Sequence, residues 1–246
     1  MTLTAHAHVV AAADVGGVTR FPVLSSAVPL VLRRTPDAVY LVGGAAGPLG
    51  GDDLSLSVEV RDGGLLRLRT AAASIALPGR SGAESVFRLT ATVGEHARFE
   101  YLPEPLVVAE GARHRVEIRV TLAGTASLLL RDELILGRHG ERGGSCVTTL
   151  RADRAGRPLL RHEIAVAGGD EVSLGPAVLA GHRLTGSLLI VGPGAPPGSY
   201  GDGVAVLPLA DDAALVTAVA HDAHTLRRRL SGGEETGANG DCGLHP

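Results

Sequence analysis

Short segments in which apolar and polar residues alternate, separated by glycine-containing turns, constrain the fold of this chain more than any other feature. The clearest alternation covers residues 54–61, where four aliphatic residues are interleaved with serine, glutamate and arginine. The same pattern recurs at residues 65–70, 85–93, 97–102 and 114–122. Alternation with a period of two turns one face of each segment toward a core and predicts strands. The sequence therefore predicts an all-β protein of stacked, twisted sheets in two layers.

The second half of the chain is predicted to add further strands and about two short helices. An apolar run at residues 126–136 and a hairpin of residues 147–151 and 158–166 continue the strand pattern. Residues 176–184 are expected to form a short helix with a proline near its first turn. Residues 222–230 begin with an aspartate and end with three arginines, which suits the helix dipole and predicts a closing helix.

Length, charge and composition limit the class of protein. At 246 residues the chain is long enough for one domain with a sizeable core, and we expect that domain to cover residues 1–230. Residues 231–246 are glycine-rich and polar and are predicted to be disordered. The net charge of −3 gives no basic footprint for nucleic acid. With no basic N-terminal region and no long apolar run, we expect neither a signal peptide nor a membrane span, and a cytoplasmic location.

The residue types that are missing exclude several kinds of chemistry. All 23 cationic residues are arginine, so the chain has no lysine for a phosphate loop or a Schiff base. No nucleophile elbow, zinc-protease helix or paired-cysteine motif is present, and we expect that the chain is not an enzyme. The apolar fraction of 45% is high and suggests a surface that partners bury.

Histidine pairs are the first candidate metal ligands. His221 and His224 would lie three residues apart on one face of the closing helix. His6 and His8 form a second pair near the start of the chain, and Asp241, Cys242 and His245 cluster near its end. The alternative is that these residues lie in frayed termini and on a solvated helix surface, where they bind nothing.

Charged residues within apolar strands are the second candidate. Arg131, Asp132 and Glu133 interrupt the apolar run at residues 126–136, and Glu100 interrupts the strand predicted at residues 97–102. Burying such charges costs several kcal/mol unless they are paired or hydrated. The charges therefore form either a self-satisfied ion pair or the lining of a water-filled passage, and the sequence leaves both interpretations open.

Several motifs, taken in order along the chain, resemble the UreD (also called UreH) family of urease accessory proteins. The first has the form Gly-Gly-x-x-Gly-x-x-Gly-Gly-Asp and contains Gly47, Gly50, Gly51 and Asp52. The second is the Tyr-Leu-Pro-x-Pro segment with Tyr101, Pro103 and Pro105, and the third is a Gly-Arg…Gly-Glu segment with Arg138 and Glu141. Weaker similarities at residues 18–33 and 68–75 extend the resemblance over roughly residues 9–230.

The motif residues are expected to shape turns or contact partners. Gly50 and Gly51 suit a tight corner that feeds a buried strand, since glycine permits backbone angles that a Cβ would forbid. Asp52 is expected to cap this turn or to serve as an interface carboxylate.

The resemblance implies a non-enzymatic scaffold that takes part in nickel delivery. Such a protein binds UreF, which recruits the nickel-carrying GTPase UreG, and the assembly docks on the apoprotein subunits of urease. Nickel would then pass transiently through the chain, with no stably bound cofactor. Along that route we expect Glu100, Arg131, Asp132 and Glu133 to line a wet passage, because dehydrating a divalent ion in an apolar channel is prohibitive. The alternative function is a β-sandwich module that binds a ligand such as a carbohydrate, although aromatic residues for a sugar platform make up only 2% of the chain.

Overall fold

The computed structural model describes residues 2–210 and 212–238. In chain order its elements are β1 (Thr4–Ala13), β2 (Thr19–Ser25), β3 (Leu30–Arg34), β4 (Val39–Gly43), β5 (Asp53–Val60), β6 (Leu65–Thr70), β7 (Ser74–Ala76), β8 (Ser85–Val93), β9 (Arg98–Leu102), β10 (Leu106–Val108), β11 (Arg113–Leu122), β12 (Ser127–Leu136), β13 (Ser145–Arg154), β14 (Arg157–Ala167), α1 (Glu171–Leu174), β15 (Leu184–Val191), β16 (Ser199–Gly201), β17 (Val204–Pro208), β18 (Ala213–Ala220) and α2 (Ala223–Ala238). The prediction of an all-β fold with few short helices is confirmed.

The strands form two stacked sheets, which confirms the predicted layers. The seven-stranded sheet has the order β14-β13-β11-β8-β5-β1-β2. The 11-stranded sheet has the order β16-β17-β18-β15-β12-β9-β6-β4-β3, with β10 placed between β12 and β7. The turn after β5 sends the chain into the other sheet, where β6 pairs with β9, so β5 and β6 form no hairpin.

At the centre of the fold the strands of each sheet are parallel, and the chain winds from one sheet to the other like a coil. In the seven-stranded sheet β1, β5, β8, β11 and β13 are parallel neighbours. In the other sheet β4, β6, β9 and β12 are parallel neighbours. Because parallel strands need a crossover connection, each turn of the chain supplies one strand to each layer before the next turn begins.

The core lies between the two sheets and is almost entirely aliphatic. The inward residues of β5, which include Leu54, Leu56 and Val58, are buried as the alternation predicted. Phe99 is the largest of the fully buried side chains. Close packing of Leu, Val and Ala therefore supplies most of the buried apolar surface between the layers.

A second, smaller cluster holds α2 against the outer face of the 11-stranded sheet. Leu226 and Leu230 of α2 pack with residues of β15 and β18 that include Leu188 and Val216. The helix begins as predicted, since the Asp222 side chain accepts a hydrogen bond from the Thr225 backbone at 2.8 Å. It then continues to Ala238, into the segment predicted to be disordered, and residues 239–246 of that segment lie outside the described residues.

The prediction of a helix at residues 176–184 is wrong. The only helical turn in this part of the described chain is α1, whose N-cap Asp170 accepts a hydrogen bond from the Ser173 backbone. Residues after Gly175 form turns until β15 begins. Ala180 and Gly181 both adopt positive φ, +49° and +78°, and two successive left-handed residues cannot continue a right-handed helix.

The glycine-rich corner before β5 depends on close approach of two backbones. A Cβ on Gly50 would lie 2.5 Å from the Gly79 nitrogen and 2.6 Å from the Ala83 oxygen. Gly51 has φ +99°, a region that side chains with a Cβ rarely adopt. The predicted tight corner is thus present, and its two central glycines meet two different constraints.

We expect Gly50→Ala to lower the free energy of unfolding by about 1–3 kcal/mol, because the clash is with backbone atoms that have little room to move. Gly124→Ala is the matched control, since a Cβ there would have nothing within 4 Å. Chemical denaturation of both variants measures the difference. Equal stability of the two variants would show that the corner relaxes freely.

Candidate functional site

Strand β12 carries the three consecutive charges that interrupt the apolar run. Because neighbouring side chains of a strand point to opposite faces, Asp132 faces the interior between the sheets, as do Leu130 and Leu134. Arg131 and Glu133 face the other side, where α2 packs. The trio is therefore split between the two faces of one sheet.

The 11-stranded sheet has a gap beside these charges, which we call the window. β9 pairs with β12 as far as Leu130, and β10 pairs with β12 only from Leu134 onward. Between them the chain makes the corner that contains Pro103 and Pro105. Proline has no backbone N–H, so this corner cannot continue the ladder along β12. The Tyr-Leu-Pro-x-Pro motif thus leaves one side of residues 131–133 without a strand neighbour.

Other contacts hold the proline corner in place. The Arg131 guanidinium donates to the Pro103 carbonyl at 3.3 Å, and the Thr70 hydroxyl accepts from the Glu104 backbone at 2.8 Å. The Pro105 carbonyl accepts from the Ser74 backbone at 3.1 Å. These bonds fix the edges of the window.

Two cavities meet at Asp132. Cavity 1 has a volume of about 470 Å³, and its polar and aromatic lining residues include Phe87, Tyr101, Glu104, His114, Asp132 and Glu133. Cavity 2 has a volume of about 520 Å³, and its polar lining residues include Asp132, His162, Glu163, Thr185, Ser187 and Thr217. Cavity 1 is bordered by Asp132 and Glu133 of β12 and by Glu104 of the proline corner, so it lies beside the window.

The Asp132 carboxylate is costly to keep charged. Burial, and secondly the negative charge of Glu133, raise the pKa of Asp132 to about 6. Among the described side chains of residues 2–210 and 212–232, none makes a hydrogen bond or ion pair with this carboxylate. Asp132 in turn adds to the effect of burial on two neighbours, since it raises the pKa of Tyr101 and that of Cys146, the latter to about 12.

Glu133 is compensated by an arginine of α2. Arg227 donates to both carboxylate oxygens of Glu133, at 2.5 and 3.2 Å, and also contacts Glu104 at 3.2 Å. The hydrogen bonds to Glu133 raise the pKa of Arg227 and outweigh the opposite effect of burial, so the guanidinium stays protonated. Arg131 lies 3.6 Å from Glu133. The helix therefore covers the outer side of the window through one shared guanidinium.

Glu100 lies on the outer face of the same sheet and lines neither cavity. Arg69, Arg98 and Arg67 surround its carboxylate at 2.8, 2.9 and 3.4 Å. Burial favours its neutral form, but the hydrogen bonds from Arg69 and Arg98 outweigh that effect and the pKa of Glu100 is lowered. Of the four residues expected along a passage, the structure thus brings only Asp132 and Glu133 to the cavities.

The glycine motif forms part of the rim of cavity 1. Gly47 and the residue after it are among its lining residues. Asp52 is buried, and its two carboxylate oxygens accept from the Leu49 backbone at 2.9 Å and from the Leu3 backbone at 3.0 Å. Asp52 therefore caps the turn and ties it to the start of the chain.

The Gly-Arg…Gly-Glu segment is an exposed loop held by ion pairs and carbonyl contacts. Arg138 donates to Glu141 at 2.8 Å, and this bond is the main reason that the pKa of Glu141 falls to about 2. Arg183 donates to the carbonyls of Leu136, Arg138 and Glu141. The loop lies after the end of β12, and Glu141 lines neither cavity.

In the described residues, neither histidine pair forms part of a group that could hold a metal ion. The ring of His221 contacts that of His182 in a tilted arrangement, with the centroids 3.9 Å apart, whereas His224 is exposed on α2. Nδ1 of His6 lies 3.0 Å from the Ser55 hydroxyl, and the ring centroids of His6 and His8 are 6.4 Å apart. In the part of the chain that the structure describes, no group of three or more His, Cys, Asp or Glu side chains could hold a metal ion. Asp241, Cys242 and His245 lie outside that part.

Sequence reasoning missed His114, Glu104, Arg183 and Arg227 as functional residues. The sequence could have identified His114. It occupies an inward position of β11, where the alternation predicts an aliphatic residue such as Val116 or Ile118. Arg227 had no such signal, because its partner Glu133 is 94 residues away and belongs to another element.

Comparison with known proteins assigns this architecture to a class. A family model described as UreD urease accessory protein matches residues 4–234. A protein of Parafrankia sp. (strain EAN1pec) named Urease accessory protein UreD is 45% identical over 258 residues, which cover 93% of this chain and 87% of the relative. Urease accessory protein UreD 3 of Streptomyces griseus is 46% identical over 94% of this chain and 95% of its own length. Urease accessory protein UreD of Frankia alni is 42% identical, with 92% and 91% covered.

These matches show that the chain belongs to the UreD urease accessory protein family. Its role accordingly lies in urease maturation. Neither helix in residues 2–210 and 212–238 has the length and apolar character needed to cross a membrane.

We expect Arg227→Met to lower the free energy of unfolding by about 1–3 kcal/mol, because buried Glu133 would lose its main cation. Adding Glu133→Gln should recover part of that loss, since a neutral amide needs no cation. Arg228→Met, at an exposed position of the same helix, is the control and should be near neutral. Urea denaturation measures all three, and an additive double variant would argue against the coupling.

We expect Asp132→Asn to stabilise the chain at pH 7.5 by about 1–3 kcal/mol, because it removes a half-buried and poorly compensated charge. The raised pKa means that wild-type Asp132 takes up its proton as pH falls from about 6 toward 3.8. The wild-type chain therefore loses this penalty at low pH, and the advantage of the variant should shrink between pH 6 and pH 4. Denaturation curves at pH 7.5 and 4.5 test this. Destabilisation by the same amount at both pH values would instead indicate a structural hydrogen bond.

Proposed function

We propose that this chain is a non-enzymatic maturation factor that conducts nickel into apo-urease in the cytoplasm. In this proposal it binds UreF, which recruits the GTPase UreG, and the assembly docks on the urease apoprotein subunits. Nickel is the cargo and is bound only transiently. GTP chemistry lies in the partner, since this lysine-free chain has no phosphate-loop lysine.

One observation carries the proposal, namely that a half-buried carboxylate with no partner among the described side chains borders two cavities. Asp132 lines both cavity 1 and cavity 2, which together adjoin both sheets. A structural carboxylate at such a position would be expected to have hydrogen-bond partners, as Glu100 and Asp52 do. A carboxylate left with a costly charge beside water-sized space is suited to meet a passing cation.

The arrangement of the other charges supports passage rather than storage. A stable site for a borderline divalent ion would use several nitrogen, sulfur or oxygen ligands at once, and no such group of three occurs in the described residues. Beside the window, Glu104 and Glu133 also line cavity 1 and offer further oxygen ligands. The sugar-binding alternative has weaker support, because Phe87 and Tyr101 are the only aromatic side chains among the residues that line cavity 1.

The proposal predicts that Asp132→Asn impairs nickel loading of urease by about tenfold or more without impairing assembly. The assay would combine the full chain with UreF, UreG, nickel, GTP and apo-urease, and would measure nickel per urease active site. Asp37→Asn, in the exposed turn between β3 and β4, is the matched control. Recovery of the intact complex by size-exclusion chromatography separates loading from docking.

Normal loading by Asp132→Asn in an intact complex would refute the passage through Asp132. If loading instead depended on His221 and His224, the histidines of α2 would be the carriers. A variant that stabilises the chain yet blocks loading would identify Asp132 as a residue kept for function at a cost in stability.

A further inference from the structure

The outer face of the 11-stranded sheet carries a group of arginines on the half away from α2. The helix packs on β15 and β18, whereas β9, β6, β4 and β3 follow one another on the other side of β12. The outward positions of these four strands, which alternate with core residues, hold Arg33, Arg67, Arg69 and Arg98. We call these four residues the arginine patch. Glu100 is the one acidic residue within the four strands.

The register of the strands places the arginine patch in neighbouring rows. Arg33 is opposite Tyr40 of β4, and Tyr40 is opposite Arg69 of β6. Arg67 is opposite Glu100 of β9. Neighbouring strands lie about 4.8 Å apart, so the patch extends for about 14 Å from β9 to β3. An extended peptide rises about 3.3 Å per residue, and about four or five of its residues would cover this width.

A single carboxylate is shared by three of these guanidinium groups. Arg69 and Arg98 donate to Glu100 at 2.8 and 2.9 Å, while Arg67 lies 3.4 Å from the same carboxylate. Among the described side chains none forms an ion pair with Arg33, whose guanidinium donates to the carbonyl of the preceding residue at 3.3 Å. The patch therefore keeps an excess of positive charge, although the net charge of the whole chain is −3.

The excess positive charge is accessible from outside the molecule. The side chains of Arg67 and Arg98 are 45% and 38% exposed, whereas that of Glu100 is only 8% exposed. Arg33 is also exposed, and Tyr40 beside it is half-buried. Arginine and tyrosine are enriched at protein interfaces, and a guanidinium group can bind a carboxylate through two parallel hydrogen bonds. The patch thus has the composition of a protein-binding surface that favours acidic groups.

We propose that the arginine patch is the docking surface for an acidic segment of a partner protein. That this partner belongs to the urease-maturation assembly rests on the function proposed above. The pairing of Glu100 with three arginines demonstrates that these guanidinium groups accommodate a carboxylate. The same carboxylate repels further negative charge at the centre of the patch. Separate acidic side chains therefore suit the patch better than the closely spaced phosphates of a nucleic acid.

The direct test measures the binding of a fluorescent octaglutamate peptide to the full chain by anisotropy. We expect the double variant Arg33→Gln/Arg67→Gln to weaken binding by about tenfold, because it removes two exposed charges. This variant keeps Arg69 and Arg98, the two closest cations of Glu100. Binding to the wild-type chain should also weaken as the salt concentration rises.

The matched control is Arg80→Gln/Arg157→Gln, which removes two exposed arginines outside the patch and changes the net charge equally. It should bind the peptide as the wild-type chain does. Equal weakening by both double variants, or no binding of the peptide to the wild-type chain, would overturn the proposal. Equally tight binding of an eight-residue oligothymidylate at the patch would also overturn it, because the patch would then bind any polyanion.

Titrations with UreF, UreG and apo-urease separate this inference from the function on which its partner rests. Arg33→Gln/Arg67→Gln should weaken the binding of one of these proteins by about tenfold, while the control variant weakens none. If no interaction changes while Asp132→Asn blocks nickel loading, the docking inference is refuted and the proposed function stands. If the wild-type chain binds none of these proteins and loads no nickel, the proposed function fails, and the peptide result alone decides the role of the patch. Melting temperatures of both double variants exclude misfolding as the cause.

Discussion

Two prolines between β9 and β10 set the constraint on which the polar interior of this protein depends. A strand that continued from β9 alongside β12 would close the sheet and bury residues 131–133 against backbone. Pro103 and Pro105 lack the N–H groups that such a ladder needs, so the sheet stays open there. Cavity 1 lies beside this opening, and Asp132 of β12 borders it within an otherwise aliphatic core.

The carboxylates around this opening differ in how well their charges are compensated. The well-compensated ones stabilise the fold, whereas the poorly compensated one is a candidate for function. Three arginines surround Glu100, and Arg227 holds Glu133. Asp132 has no comparable partner in the described residues, and its raised pKa reflects that cost. Burying a charge without a partner is expensive, so a fold selected for stability alone would replace it. The cost is understandable if Asp132 meets a cation during urease maturation, as we propose.

The fold class could be predicted from the sequence because it follows from local pattern. Alternation fixes which side chains of β5, β8 and β11 face inward, and the turn glycines end each strand. The failed helix at residues 176–184 shows the limit of such patterns. Its apolar composition and leading proline suit a helix, but Ala180 and Gly181 adopt left-handed backbone angles that a right-handed helix cannot contain.

The sequence by itself determined the strands, the layers that their apolar faces imply and the presence of charges within an apolar strand, since these depend on neighbours a few residues apart. Its glycines also predicted a tight corner before β5, although the contact that requires Gly50 is with Gly79 of another segment. Only the tertiary structure decided which charges meet. The parallel coil brings His114 and Asp132 to the lining of one cavity, and α2 carries Arg227 to Glu133 across 94 residues. Contacts between distant segments depend on the register between strands and on the crossovers between sheets, and no local pattern of residue types encodes either.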